Sequence, residues 1–187
     1  MTFSTTYNYT MEDENLILLY SKEEIDQKIT DIASQITKDY QNNEVILIGI
    51  LKGAFVFLAD LMRNIRIPLK VDFVRLSSYG SKLKSSGKVM ITKDIDLSIE
   101  GKDVLIVEDI LDSGFTLSFL FEKLKAKNPK SLKSCVLINK TERQEKRVEV
   151  DYVAFRLEEG YVVGYGLDCD ERYRNLPDIY KLSRRKL

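Results

Sequence analysis

The strongest constraint on fold is an alternation of short apolar runs with segments of helical period. The runs are "EVILIGIL" (44–51), "VDFVRLSS" (71–78), "DVLIVEDI" (103–110) and "SLKSCVLINK" (131–140). They are strand-length and rich in Val, Ile and Leu, as buried strands are. Helical patterns separate them. Residues 21–40 place Ile25, Ile29, Ile32, Ile36 and Tyr40 on one face, behind a Ser21/Glu24 capping box. A second helix follows Lys52-Gly53, with Ala54, Leu58, Leu61, Met62 and Ile65 turned inward, and Pro68 helps mark its end. A third carries Leu117, Leu120, Phe121 and Leu124 and closes at Asn128-Pro129.

Strands that alternate with helices require right-handed crossovers, so the first two-thirds of the chain predicts a parallel sheet flanked by helices. "VMIT" (89–92) can pair beside "VDFVRLSS", while "DYVAFRL" (151–157) and "YVVGYGLD" (161–168) are read as further strands. The expectation is one α/β domain over residues 1–187, with a parallel core at about 20–155. A small strand-rich hood would come from the N-terminal segment and from about 156–187. Ligands of such sheets bind beyond the carboxyl ends of the strands. That rule singles out Lys52, Ser78, Glu108, Lys140 and Asp168.

Composition narrows the chemistry. The chain has no histidine, which removes the commonest general base and the commonest transition-metal ligand. Acid–base work falls to carboxylates, Lys, Tyr or Cys, and a catalytic metal would be a hard cation on oxygen ligands, which points to Mg2+. Cys135 and Cys169 stand apart, outside any zinc-binding spacing. The 29 basic and 29 acidic residues cancel, so no global field draws nucleic acid or an anionic membrane. The N-terminus has no basic segment leading into an apolar run, and Val45 to Leu51 is far short of the roughly 20 residues of a membrane helix. A soluble cytoplasmic protein is expected, with neither nucleic acid nor membrane as partner.

"VLIVEDILDSGFTL" (104–117) carries the densest chemistry. A loop between a strand and a helix turns backbone N–H groups outward, and Ser113 and Thr116 add hydroxyls. Gly114 would let a ligand approach the backbone, so Asp112 to Thr116 has the makings of a phosphate cradle. It lacks the Gly-Lys-Ser/Thr ending of a P-loop. The competing reading is an ordinary turn in which Ser113 or Thr116 caps the helix. Glu108 and Asp109 follow four apolar residues, where adjacent charges need partners; a metal or a vicinal diol would suit them. A solvated acidic turn is the alternative.

This stretch resembles the phosphoribosyl pyrophosphate signature of the type I phosphoribosyltransferases. "LKGAFVFLADL", "VDFVRLSSYG", "INK" and "YVVGYGLDCDERYRNLPDIY" fall in the order and spacing of the hypoxanthine-guanine branch of that family. The resemblance implies purine salvage. Phosphoribosyl pyrophosphate and hypoxanthine or guanine would give the mononucleotide and pyrophosphate, with Mg2+. It implies Glu108 and Asp109 on the ribose hydroxyls and one Mg2+, and Ser113, Gly114, Phe115 and Thr116 around the 5′-phosphate. Asp112 would exchange a proton with purine N7, or alternatively only hold the loop. Lys52, Gly53 and Arg174 would meet pyrophosphate, and the peptide entering Lys52 is often cis in the family. Lys140 would donate to the 6-oxo group, Tyr161 would stack on the base, Val162 would touch it through its backbone, and Asp168 would take a second Mg2+ close by.

Ser78 and Tyr79 match the dipeptide of the family's mobile loop. Without the resemblance, Lys52 and Lys140 read as solvated charges and Tyr161 as core. The chain departs from the family pattern at Phe115, a variable position, and at Cys169, where an aromatic is common. Tyr161 replaces a frequent phenylalanine, so its hydroxyl needs a polar outlet. Relatives imply a homodimer or homotetramer. A xanthine-preferring transferase and an RNA-binding regulator on the same fold remain as alternatives.

Overall fold

The structure is a computed structural model that describes residues 14–79 and 88–184 of the 187-residue chain. In chain order the elements are β1 (Glu14–Tyr20), α1 (Lys22–Asp39), β2 (Val45–Leu51), α2 (Phe55–Asn64), β3 (Leu69–Tyr79) and β4 (Lys88–Lys93). They continue with β5 (Asp103–Leu111), α3 (Phe115–Lys125), β6 (Ser131–Lys140), β7 (Tyr152–Leu157), β8 (Val162–Val163) and β9 (Ile179–Arg184).

Two sheets result. The larger has the order β4-β3-β2-β5-β6-β7, parallel throughout except for β4, which runs antiparallel to β3 along its edge. The smaller is antiparallel, in the order β1-β9-β8, and joins the two ends of the described chain. Strand order reverses between β2 and β5: the chain leaves β2 for β3 on one side and returns as β5 on the other. A crevice opens at such a switch point, beyond the carboxyl ends of the two strands.

Burial explains why β2 and β5 hold the centre. Val45 and Leu47 face a core shared with α1 and α2, while Ile46, Ile48 and Ile50 face one shared with α3. Leu105 and Val107 of β5 join the first core, and Val104 and Ile106 join the second. Strands apolar on both faces stay in place only between two helix layers. The capping box that opens α1 forms as expected: Ser21 N–H donates to Glu24 (2.8 Å) and Glu24 N–H donates to Ser21 Oγ (3.3 Å). The stripe Ile25, Ile29, Ile32 and Ile36 then buries almost completely. At about 1.5–3 kcal/mol for each buried aliphatic side chain, that stripe outweighs the polar character of the rest of the helix.

Three expectations need correction. Met62 is exposed; the inward stripe of α2 runs through Phe57, Leu58 and Leu61, and Met62 sits about 100° around from Leu61. "YVVGYGLD" is not one strand. Only Val162–Val163 pairs as β8, and Gly164, Tyr165 and Gly166 then take positive φ (94°, 51°, 95°), closing a turn with Gly164 opposite Leu167. Asp168 therefore follows a turn rather than ending a strand. Finally, β5 continues to Leu111, so Glu108 and Asp109 lie within the strand.

Candidate active site

The site is built at the carboxyl ends of β2, β5 and β6. β2 delivers Lys52 and Gly53 immediately after Leu51, through a cis Leu51–Lys52 peptide. β5 delivers Glu108, Asp109 and then the loop Asp112–Gly114, which opens α3. β6 ends on Lys140. A cleft of about 300 Å3 lies along the first two, lined by Leu51, Ser77, Glu108, Asp109, Asp112 and Thr116 among others.

The two acidic neighbours of β5 differ in environment. Glu108 is only 6% exposed, which rules out the solvated acidic turn for it. Burial, and then the charge of Asp109, push its carboxyl well above the ordinary carboxylate range. Asp109 rests on the backbone at Gly53. A Cβ on Gly53 would lie 1.6 Å from Asp109 Oδ2, so only glycine lets the ends of β2 and β5 approach this closely.

The phosphate-type loop also departs from the reading based on helix capping. The N-cap of α3 is Gly114 itself, at φ 86°, and no side chain caps the helix. Neither Ser113 nor Thr116 does that work, and the N-terminal N–H groups of α3 keep their polarity for an anion. The close approach expected at Gly114 is made by the chain itself: a Cβ there would meet the Lys146 carbonyl oxygen at 2.0 Å. Lys146 N–H donates to Ser113 O (3.0 Å), and Lys146 Nζ reaches Glu122 on α3 (3.1 Å). Residues 141–147 thus form a strap from Lys140 to the loop.

Lys140 and Asp112 are neighbours. Lys140 is 3% exposed, so it is not the solvated charge its sequence context suggested. Its Nζ lies 3.6 Å from Asp112 Oδ2, and Arg143 Nη1 lies at the same distance. Burial pushes the Lys140 ammonium below its ordinary range against the attraction of Asp112. Asp112 Oδ1 is buried with no hydrogen-bond partner among the described residues.

The turn after β8 brings the remaining residues. Tyr161 is 49% exposed, an open aromatic face rather than core, while Val162 is buried. Its hydroxyl finds the polar outlet it needed, donating to Asp168 O (3.3 Å). Asp168 Oδ1 pairs with Arg174 Nη2 (2.8 Å), and its Oδ2 accepts from Glu171 N–H (2.9 Å). Arg174 Nη1 donates to Gly166 O (2.8 Å). Glu171 reaches across to Lys52 Nζ (2.8 Å) and touches Arg174 Nη2 (3.3 Å), so Lys52 and Arg174 share one carboxylate. These two cations hold the Glu171 carboxyl below its usual range.

Ser78 and Tyr79 are the last residues of β3, paired with Val89 and Lys88. The segment that follows, 80–87, where the mobile loop was expected, lies outside the described residues. Phe115 opens α3, half-buried. Among the described residues no three acidic or cysteine side chains converge on one point as a metal cage. Mg2+ does not require one: it keeps several waters and takes one or two carboxylates together with substrate phosphates. The Glu108–Asp109 pair fits that donor set, because burial and then the charge of Asp109 raise the cost of ionising Glu108, a cost that a divalent cation would offset.

Sequence reasoning did not nominate Arg143, Lys146 or Glu171. Arg143 stands three residues past Lys140 and Glu171 three past Asp168. Nothing in their spacing shows that one meets Asp112 and the other Lys52, the latter 119 residues away.

The Phosphoribosyl transferase domain family matches residues 19–170. The hypoxanthine-guanine phosphoribosyltransferase of Bacillus subtilis (strain 168) is 46% identical over 162 residues, 87% of this chain and 90% of that protein. The crystal structure of a hypoxanthine-guanine phosphoribosyltransferase from Bacillus anthracis superposes with a TM-score of 0.85 at 44% identity, covering 89% of this chain and 98% of that one. That of a Staphylococcus aureus hypoxanthine phosphoribosyltransferase gives 0.86 at 42% identity, covering 89% and 90%. Fold, matched family and relatives agree: the chain belongs to the phosphoribosyltransferases, in their hypoxanthine-guanine branch.

Proposed function

We propose that this protein transfers the 5-phosphoribosyl group of phosphoribosyl pyrophosphate to N9 of hypoxanthine or guanine, giving IMP or GMP and pyrophosphate in purine salvage. The observation that carries the residue roles is the pairing of buried Lys140 with Asp112 at 3.6 Å. O6 and N7 of a 6-oxopurine share one edge of the base. There the cation can donate to O6 while the carboxylate beside it accepts the N7 proton. Adenine places an amino group where Lys140 offers only donors, so it is disfavoured.

The reaction removes a proton from the purine as the glycosidic bond forms and the bond to pyrophosphate breaks. Asp112 takes that proton; with no histidine in the chain, a carboxylate is the available base. Positive charge grows on the ribosyl carbon, and Glu108 and Asp109 hold the ribose hydroxyls beneath it. The N–H groups of Ser113 to Thr116 bind the 5′-phosphate. Lys52, the Gly53 backbone and Arg174 meet the diphosphate, and the guanidinium can contact it through two nitrogens. Tyr161 stacks on the base and the Val162 backbone touches its edge. Glu108, Asp109 and Asp168 would hold Mg2+, which neutralises the leaving pyrophosphate when bound. Ser78 and Tyr79 would take the part of the family's mobile-loop dipeptide, whose task is to keep water from the reacting atoms.

The core carries the ribose phosphate, and the small sheet of β1, β8 and β9 forms a hood over the base. Among the described residues no helix is long and apolar enough to cross a membrane, which supports a cytoplasmic enzyme. Phe55 and Met62, exposed seven residues apart on α2, support a homodimer or homotetramer that covers them; light scattering on the eluted protein tests this. The relatives lend no support to the xanthine-preferring or RNA-binding alternatives. Initial rates with phosphoribosyl pyrophosphate, Mg2+ and each of hypoxanthine, guanine, xanthine and adenine decide the matter. Turnover of the first two is expected. Faster turnover of adenine would overturn the Lys140 assignment; faster turnover of xanthine, which also carries a 6-oxo group, would overturn the base preference.

A further inference from the structure

We propose that Glu171 is an internal counter-anion of the diphosphate subsite: its carboxylate holds Lys52 and Arg174 together, and an incoming diphosphate must displace it. The inference rests on the reading of Lys52 and Arg174 given under Proposed function. Its own basis is the geometry of Glu171. One carboxylate oxygen lies 2.8 Å from Lys52 Nζ and the other 3.3 Å from Arg174 Nη2. Two cations bridged by two oxygens of one anion is also the arrangement a diphosphate would make, since carboxylate and phosphoryl oxygens attract guanidinium and ammonium donors in the same way.

The partners of Glu171 are not equally fixed. Arg174 is held independently by Asp168 Oδ1 and by the Gly166 carbonyl, and its side chain is only 19% exposed. Lys52 and Glu171 are 48% and 63% exposed. Glu171 can therefore swing into solvent while Arg174 stays aimed. The backbone beneath also favours release. Asp170, Glu171 and Tyr173 all have positive φ (48°, 64°, 75°), a left-handed conformation that non-glycine residues keep only when surrounding contacts impose it. The Glu171 N–H to Asp168 Oδ2 bond is one such contact, and the bridge to Lys52 is another. Removing the bridge loosens a segment already held against its preference.

Two consequences follow for a transferase. Before binding, the carboxylate offsets the mutual repulsion of the two cations and keeps Lys52 near its working position. After transfer, it competes with product pyrophosphate for the same donors and so favours its departure. The strength of that competition is modest, because exposed ion pairs are weak. Affinity for diphosphate is lowered by the fraction of molecules in which Glu171 holds the cations, an effect of about three- to tenfold for pairs of this kind.

The test is isothermal titration calorimetry of inorganic pyrophosphate with Mg2+ into wild type, Glu171→Gln, Lys52→Met and the double variant. Glu171→Gln keeps the shape and removes the charge, and its exposure leaves folding intact. We expect its pyrophosphate Kd to fall three- to tenfold, and the gain to shrink when Lys52 is already absent. An unchanged or higher Kd for Glu171→Gln would overturn the proposal. So would an equal gain with and without Lys52, since that is the signature of a diffuse field effect. Failure of the underlying reading looks different: pyrophosphate would then bind wild type and Lys52→Met alike, or neither.

Discussion

Replacing Gly53 by alanine separates a local requirement of the site from a requirement of the fold. An added Cβ would stand 1.6 Å from Asp109 Oδ2 and 2.4 Å from its Cγ. Non-bonded carbon contacts settle near about 3.5 Å, so the Asp109 carboxylate must retreat by roughly 1.5–2 Å. The obstruction is the end of a side chain and not a backbone atom, so a changed rotamer can relieve it at a cost of about 1 kcal/mol. Stability should fall by no more than about that amount. Function should suffer more. If Asp109 holds the ribose in the transition state, moving it forfeits a charged hydrogen bond worth about 1.5–3 kcal/mol, or roughly 10- to 150-fold in kcat/KM for phosphoribosyl pyrophosphate.

Steady-state rates at saturating hypoxanthine measure the second quantity, and urea unfolding measures the first. Gly53 is also proposed to touch pyrophosphate through its own backbone, and Asp109→Ala distinguishes the two roles. If Gly53 matters by making room for Asp109, the Gly53→Ala/Asp109→Ala double variant is no slower than Asp109→Ala alone. Unchanged kcat/KM in folded Gly53→Ala would refute the reasoning. So would a double variant far slower than either single one.

Other expectations can be checked independently. Gly114→Ala has no flexible obstacle to move: positive φ costs about 1–2 kcal/mol and the Lys146 carbonyl oxygen stands 2.0 Å from the new Cβ, so a lower urea midpoint and weaker binding of phosphoribosyl pyrophosphate should appear together. Asp112→Asn should lower kcat by about 10²–10⁴-fold with little change in ligand affinity; equal turnover at saturation would remove it as the base. Lys140→Met should lose about 10- to 150-fold in kcat/KM for hypoxanthine yet keep or raise the urea midpoint, because it removes a buried cation; retained preference over adenine would contradict its role. Asp72 supplies a pH test. Burial alone would raise its carboxyl, but N–H donors from Leu97, Phe73 and Asp96, with the Lys93 charge, outweigh that and hold it below the ordinary range. A lowered folded value contributes stability that is complete above the unfolded value of about 3.9 and is lost as pH falls through the folded one. Asp72→Asn should therefore cost about 2–3 kcal/mol at neutral pH and flatten the acid limb of the stability curve; an unchanged limb would refute the assignment.

Much of the core was legible because its signals are local. The α1 stripe and its capping box need only the 3.6 period, and β2, β5 and β6 announce themselves by continuous apolar residues bounded by polar ones. β9 gives no such signal, and β1, though it carries the apolar run Leu16 to Tyr20, shows nothing of its partner. Ile17 and Leu18 are more than half exposed, and β1 is fixed by register with β9, Leu16 opposite Leu182, at the other end of the chain. The turn at 164–167 was hidden for a related reason: Val162 through Leu167 alternates apolar residues with glycine, which suits a strand until positive φ bends it. The strand-end rule singled out Lys52 and Lys140 and the cradle pattern Asp112; the resemblance gave them roles and added Arg174. It could not reveal which of these groups pair with one another.

Those pairs share a logic that the residues taken singly do not show. Lys140 and Arg143 flank Asp112, Lys52 takes Glu171, and Arg174 takes Asp168 and Glu171. Each of these charges proposed to face substrate thus has a protein partner of the polarity the substrate would supply. Asp112 compensates the buried Lys140 ammonium, and on the proposed reading a purine oxygen would take over part of that task. The cations proposed for diphosphate, Lys52 and Arg174, are more exposed than Lys140, so their pairing with Glu171 serves orientation rather than solvation. The burial of each charge therefore determines what its partner is for: at Lys140 the partner keeps the charge, and at Lys52 it keeps the place.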